Sequence, residues 1–164
     1  MKKRQILRTY LALVDGLLPD SGTINAPIAR MEGSVITREV NFETGESAIT
    51  HYERLAAGKE YSLAELHLET GRTHQIRVHM KHIGHPLFND ARYGGDKIIR
   101  GTTAAKYTQF VQNCFKICPR QALHAKTLGF VHPRTREEMF FNSEIPADMT
   151  ALIKKWEDYT AAVL

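Results

Sequence analysis

The sequence is poor in cysteine and has no long hydrophobic run. Its two cysteines, Cys114 and Cys118, do not form a CxxC pair, so the sequence contains no zinc-ribbon or dithiol redox motif. We expect both thiols to be buried and reduced. No segment approaches the roughly 18 consecutive apolar residues of a membrane-spanning helix, which excludes a membrane span of that kind.

No secretion signal is expected at the N-terminus. Lys2, Lys3 and Arg4 are basic, but the apolar residues that follow stop at Asp15, and no signal core forms. We interpret the basic residues as a solvated tail. A cytoplasmic location is the resulting expectation.

The composition is that of a folded, mildly basic protein. Apolar residues make up 43% and charged residues 24% of the chain, which argues against disorder. A length of 164 residues suits one domain with a real core. The net charge of +4 and a pI near 9.1 suit a polyanionic partner without requiring one.

Strand patterns dominate the first half of the chain. We predict strands over 8–14, 22–28 and 35–40, and a hairpin that pairs 48–55 with 61–68. The second arm of this hairpin alternates strictly, with Tyr61 and Leu63 on one face and Ala64 and Leu66 on the other.

Beyond residue 71 the period changes to that of a helix. Ile76, Met80 and Ile83 recur at helical spacing and therefore share one stripe. Thr73 is the predicted N-cap, and Gly84 stands where a left-handed C-cap is expected.

Later segments add two helices and a hairpin. We predict helices over 103–116 and from Pro146 onward, and a hairpin that joins 123–131 to 139–142. The predicted fold is a single α+β domain over residues 1–164, with a largely antiparallel mixed sheet and a few flanking helices.

One segment carries a specific motif. Residues 70–95 read TGRTHQIRVHMKHIGHPLFNDARYGG, which resembles the TGRTHQIRvH…iGhPl.gD..YGg signature of the RluA-type pseudouridine synthases. The segments RTYLALVDG (8–16), SGTINAPIAR (21–30) and QALHA (121–125) are similar to other motifs of that family. The resemblance extends over essentially the whole chain.

The resemblance implies an isomerase that converts uridine to pseudouridine in structured RNA, ribosomal or transfer, without a cofactor. Enzymes of the family carry an HRLD segment whose aspartate is the nucleophile. No HRLD occurs in this sequence, and its aspartates, Asp90 included, are interpreted as lying in unrelated contexts. We therefore expect a partial catalytic domain that is inactive alone. The alternative is a non-catalytic RNA-binding module.

Two catalytic positions follow from the resemblance. Arg77 matches the arginine that holds the nucleophilic carboxylate through paired, charge-assisted hydrogen bonds. Tyr10 matches the tyrosine that stacks on the target base near the proton lost from carbon 5. Without the resemblance, Tyr10 is an ordinary strand residue of the core.

Further residues are expected to contact RNA. Ile76 or Val78 would pack on the flipped uracil, although Ile76 suits the core equally. The cluster that begins at Arg72 either holds a phosphate or caps the helix, and both interpretations stay open. Arg30 and His124 are contacts by family position only. The complete predicted set is Arg30, Arg72, Thr73, His74, Gln75, Ile76, Val78 and His124.

A metal site is not predicted. The histidines are His67, His74, His79, His82 and His85 in this region. A zinc site needs about three or four convergent ligands, often with cysteine or a carboxylate, and the family match explains the segment better than a metal-dependent hydrolase does. An open sheet edge is a further expectation, and it could lead to self-association.

Overall fold

The framework of the protein is an antiparallel sheet of six strands. The computed structural model describes residues 6–101 and 104–163. The sheet strands are β1 (Leu7–Asp15), β2 (Ser21–Asn25), β5 (Ile49–Ala57), β6 (Tyr61–Leu68), β7 (Leu123–Val131) and β8 (Glu138–Asn142), in the order β2-β5-β6-β1-β7-β8. A separate hairpin joins β3 (Ile28–Arg30) to β4 (Arg38–Val40).

Three helices pack on the sheet, which confirms the predicted α+β class. They are α1 (Gln75–His82), α2 (Ala105–Ile117) and α3 (Ala147–Val163), and a short 3-10 turn covers Ala91–Tyr93. None of the helices in the described part of the chain has the length and apolar character needed to cross a membrane.

Each face of the sheet has its own hydrophobic cluster. On β6, Ala64 and Leu66 pack with Ile76 and Met80 of α1. The alternate residue Tyr61 packs on the opposite face with buried side chains of α2 and α3, which are Tyr107, Val111, Cys114, Met149, Leu152 and Trp156. The alternation seen in the sequence therefore places β6 between the two clusters.

Two strand predictions are corrected. The segment predicted as one strand over 22–28 is divided into β2 and β3, because Pro27 has no N–H to donate and the Ala26 carbonyl is taken by His79. The strand predicted over 35–40 is shortened to β4. Residues before it form a turn in which Ser34 Oγ accepts the backbone N–H of Thr37.

The ends of α1 agree only partly with the prediction. The N-cap is His74, in a left-handed conformation with φ 56°, so the assignment of Thr73 was wrong. Gly84 does have the expected left-handed conformation, with φ +85°. Its N–H donates to Lys81 O, and the N–H of His85 donates to Met80 O, which together close the helix in a Schellman motif.

The second helix and its thiols follow the sequence pattern. The predicted helix begins at Thr103, which lies outside the described residues, and α2 is described from Ala105 onward. Cys114 and Cys118 are buried and free, as predicted. Burial raises the pKa of Cys114 to about 12, so this thiol is protonated and unreactive at neutral pH.

Candidate functional site

Arg77 is held at the base of α1 by a buried carboxylate. Its Nε and Nη2 donate to the two carboxylate oxygens of Asp90, each at 2.8 Å. The Asp90 side chain is 0% exposed and that of Arg77 only 13%. The guanidinium carbon also lies 4.9 Å from the centre of the Tyr93 ring. The hydrogen bonds with Asp90 raise the pKa of Arg77 above its usual value, so the cation is permanent.

The pairing corrects one sequence-based interpretation. Asp90 was set aside as unrelated to the site, and Arg77 was expected to lack a carboxylate within this chain. The signal was present in the motif, because Asp90 and Tyr93 belong to the same signature segment as Arg77. Their spacing in the sequence did not reveal that the side chains of Arg77 and Asp90 are in contact.

A tight turn places Asp90. The N–H of Gly95 donates to Asp90 O at 2.7 Å, and the N–H of Asn89 donates to Gly95 O at 2.8 Å. A Cβ on residue 95 would stand 1.8 Å from Leu87 O, so only glycine fits there. Gly95, the second glycine after Tyr93 in the motif, thus helps to fix the position of the carboxylate.

One edge of the Arg77 guanidinium remains open. A guanidinium can bind a carboxylate along either of two N–H edges. Asp90 occupies the Nε–Nη2 edge, and Nη1 donates no hydrogen bond to any residue in the described part of the chain. Asp90 therefore fixes the orientation of the guanidinium, and Nη1 has no acceptor among the described residues.

His74 is half-buried and packs against Tyr93, the ring that also lies beside Arg77. Its Nδ1 is 2.6 Å from Tyr93 Oη, and the same phenol accepts the backbone N–H of Arg38 at 3.1 Å. Burial lowers the pKa of His74, and the cations Arg77, Arg92 and Arg38 lower it further. The imidazole is therefore neutral at pH 7 and shares a hydrogen bond with the Tyr93 hydroxyl.

Gln75 has an internal role in the structure. Its amide nitrogen donates to Ile49 O at 3.0 Å and to Thr50 Oγ1 at 2.9 Å. Its amide oxygen accepts from Thr70 Oγ1 at 2.8 Å and from the Arg72 N–H at 3.0 Å. Every hydrogen-bonding position of this side chain is used, so an RNA contact would have to break one.

His79 continues the same buried network. Its Nε2 donates to Ala26 O and its Nδ1 accepts the Thr50 hydroxyl, both at 2.8 Å. Burial lowers the pKa of His79, which keeps it neutral. Both ring nitrogens are occupied. Among residues 6–101 and 104–163, no group of three or more metal-ligating side chains is assembled.

The other predicted residues are divided between the core and the surface. Ile76 and Val78 are each 4% exposed and pack in separate clusters on the two sides of α1. Tyr10 is partly buried on β1 and packs on the cluster that contains Ile76. Arg77 turns to Asp90 and Tyr93, and the structure does not bring it into hydrogen-bond contact with Tyr10.

A polar groove gathers three of the predicted RNA-binding residues. Arg30, Arg72 and Thr73 line a groove of about 440 Å³ beside the β3–β4 hairpin. Within it, Arg72 Nη1 pairs with Glu46 at 2.9 Å. His124 is not part of this groove; it lies on β7, with Nε2 3.0 Å from Ser143 Oγ.

Comparison with known proteins identifies the class. The chain belongs to the RNA pseudouridylate synthase family, whose family model matches residues 1–82. It is 41% identical to the uncharacterized RNA pseudouridine synthase YjbO of Bacillus subtilis, over 93% of this chain and 48% of that protein. It is 39% identical to ribosomal large subunit pseudouridine synthase D of Vibrio cholerae, over 93% of this chain and 45% of that protein.

The fold agrees with this family. A solved structure titled human RNA Pseudouridylate Synthase Domain Containing 1 superposes with a TM-score of 0.65 at 24% identity, covering 96% of this chain and 66% of that one. The family expected from the signature is confirmed. The chain spans slightly less than half the length of the two bacterial relatives.

Proposed function

We propose that this chain provides one part of the active site of an enzyme that isomerises uridine to pseudouridine in ribosomal or transfer RNA. The observation that supports the proposal best is the open edge of Arg77. A buried cation fixed on one side by Asp90 and stacked near Tyr93 is prepared to orient a second carboxylate.

In this proposal the second carboxylate is the family's nucleophilic aspartate. Arg77 would keep it ionised and aimed at the ribose through charge-assisted hydrogen bonds. Tyr10 would stack on the uracil and take part in removing the proton from carbon 5. No cofactor enters the reaction. A cytoplasmic location, where such RNA is processed, is part of the same proposal.

Asp90 does not qualify as the nucleophile. It is 0% exposed, and both of its oxygens accept hydrogen bonds from Arg77. A nucleophile needs a free oxygen that can reach the substrate. Since the sequence has no HRLD segment, we propose that the 164-residue polypeptide binds RNA but does not convert uridine by itself.

Tritium release from RNA labelled at uridine carbon 5 tests this function. The purified chain should release no tritium above the buffer background. In the Vibrio chimera, this chain replaces the matching 45% of V. cholerae pseudouridine synthase D, and the family's HRLD aspartate is expected in the rest of that protein. The chimera should release tritium from large-subunit ribosomal RNA. An inactive but folded chimera would contradict the proposed function, and turnover by the chain alone would contradict the need for another carboxylate.

The alternative function, RNA binding without conversion, is supported by the arginines of the groove. This alternative also predicts no tritium release by the chain alone, but it predicts none by the Vibrio chimera either. Turnover by the chimera therefore separates the two functions.

We also propose that two copies of the chain associate through the β8 edge of the sheet. β8 is the last strand in the sheet order, so one side of its backbone is unpaired within the described residues. Apolar side chains around it are exposed: Phe141 is 51%, Leu128 39% and Phe140 68% exposed. Apolar surface beside an unpaired strand edge favours pairing with an identical strand.

Analytical ultracentrifugation of Phe141→Lys tests the association. We expect the unmodified chain to increase in mean mass with concentration, and the lysine variant to weaken dimerisation about tenfold, because a charge on an edge strand opposes pairing. Phe42→Lys is the matched control, since Phe42 is 73% exposed and lies outside the sheet. A chain that stays monomeric at all concentrations, or equal effects of the two variants, would rule out this interface.

A further inference from the structure

The groove beside the β3–β4 hairpin contains more positive charge than the family motif accounts for. It is lined by Arg30, Arg38 and Arg72, with Gly71 between them. Arg8, on β1, lies beside Gly71: a Cβ on Gly71 would stand 2.5 Å from Arg8 Nη1. Three arginines from separate chain segments thus line the groove, and a fourth, Arg8, lies beside its Gly71.

Most of this charge is not neutralised. Arg8 and Arg30 have no ion pair or side-chain hydrogen bond in the described part of the chain. Arg38 Nη1 donates to the carbonyls of Val35 and Ile36, which bear no net charge. Only Arg72 pairs with a carboxylate.

Two further observations show that the charge is unfavourable in the free protein. Arg30 and Arg38 are direct partners across the β3–β4 ladder, where like charges repel. Of the groove arginines, Arg38 adds to the lowering of the pKa of His74, which burial and then Arg77 and Arg92 outside the groove cause in larger part. An anion bound in the groove would relieve this repulsion.

Glu46 lines the groove, and its carboxylate is the group that a bound anion would replace beside Arg72. Its backbone pairs with Ile28 in both directions at 2.9 Å, which fixes the residue beside the hairpin. Its carboxylate contacts Arg72 at 2.9 Å but is 71% exposed. An exposed ion pair of this kind contributes little to stability, so another anion can displace the carboxylate easily.

We propose that the groove binds consecutive phosphates of an RNA strand through Arg8, Arg30, Arg38 and Arg72, and that Glu46 takes the place of one phosphate until RNA displaces it. The proposal rests on the proposed function, because RNA is the polyanion that a pseudouridine synthase must hold. Arg8 and Arg38 are additional to the residues that the motif assigns. Arg8 lies two residues from Tyr10, so the bound strand runs towards the proposed base-binding position.

Fluorescence anisotropy with a labelled fragment of large-subunit ribosomal RNA tests this site on the full chain. Arg38→Gln and Arg8→Gln should each weaken binding about tenfold and reduce the slope of log K against log salt by about 1. Glu46→Gln should strengthen binding about three- to tenfold, because Arg72 no longer exchanges one anion for another. All three positions are at least partly exposed, and circular dichroism checks that the variants remain folded.

Matched controls separate a site from a change in overall charge. Glu69→Gln removes an exposed carboxylate paired with His51, and Arg134→Gln removes an exposed cation in the β7–β8 turn. Each should change affinity less than about twofold. Effects at Glu46, Arg8 and Arg38 no larger than those of the controls would overturn the proposal, as would equal binding of polyglutamate with the same sensitivity to the variants.

The outcome is separable from that of the proposed function. If the groove variants weaken RNA binding while the folded Vibrio chimera is inactive, the phosphate site stands and the catalytic proposal fails. If the chimera is active and the groove variants bind RNA as the unmodified chain does, the phosphate site fails and the catalytic proposal stands.

Discussion

Replacement of Arg77 by lysine should reduce tritium release by the Vibrio chimera about a hundred- to thousandfold, the usual cost of removing one preorganised donor. Lysine keeps the positive charge but has a single ammonium head, which cannot bind Asp90 and a second carboxylate along two separate edges. The Asp90 pair would be kept and the orientation of the nucleophile lost. RNA affinity should change little, because Arg77 is only 13% exposed.

Arg92→Lys is the matched control for this prediction. Arg92 lies in the 3-10 turn of the same signature, is exposed and donates to Thr37 Oγ1 at 2.9 Å. Lysine there should alter turnover less than about threefold, since surface contacts of this kind contribute little. If Arg77→Lys and Arg92→Lys reduce tritium release by similar factors, the two-edged hydrogen bonding of Arg77 has no special part in catalysis.

Asp90→Asn examines how Arg77 is positioned. Asparagine keeps one oxygen for Nε but presents an NH2 group to Nη2, so the guanidinium is held less firmly. We expect kcat of the Vibrio chimera to fall about tenfold or more with KM almost unchanged, the pattern for a contact made mainly in the transition state. A rise in KM alone would show that Asp90 supports RNA binding instead.

The substitution Gln75→Leu should lower the free energy of unfolding by about 2 to 4 kcal/mol. Leucine fills a similar volume but leaves the Arg72 N–H without its acceptor and removes one of the two donors to the Ile49 carbonyl, which keeps only the Glu69 N–H. It also breaks the chain of hydrogen bonds that runs through Thr50 to His79. Urea denaturation followed by circular dichroism measures the loss.

Gln109→Leu provides the comparison for Gln75. Gln109 is exposed on α2, and its amide donates to Asn113 of the same helix at 3.0 Å. Its replacement should change stability by less than about 0.5 kcal/mol. If the two leucine variants lose the same stability, the network around Gln75 does not hold the start of α1 in place.

Local sequence patterns correctly predicted the strands and helices that are determined by a few neighbouring residues. Strict alternation predicted β6 and its hairpin with β5, because each face of that strand meets a hydrophobic cluster. The apolar stripe and Gly84 predicted α1 and its C-terminal end, since helix spacing and a left-handed glycine are properties of a few neighbouring residues.

The errors arose where distant segments decide the structure. Thr73 is a good capping residue, but the side chain of Gln75 binds the Arg72 N–H and moves the helix start to Gln75. The partner of Arg77 was missed for the same reason. A family motif identifies which residues matter, whereas the pairing of Arg77 with Asp90 depends on a turn that only the folded chain brings to the helix.

The most direct test of the catalytic proposal is a crystal structure of the Vibrio chimera. The account predicts that Arg77 Nη1 lies about 2.8 Å from an oxygen of the HRLD aspartate, while Nε still binds Asp90. A structure in which that aspartate is held by another cation, and the open edge of Arg77 faces away from it, would contradict the account.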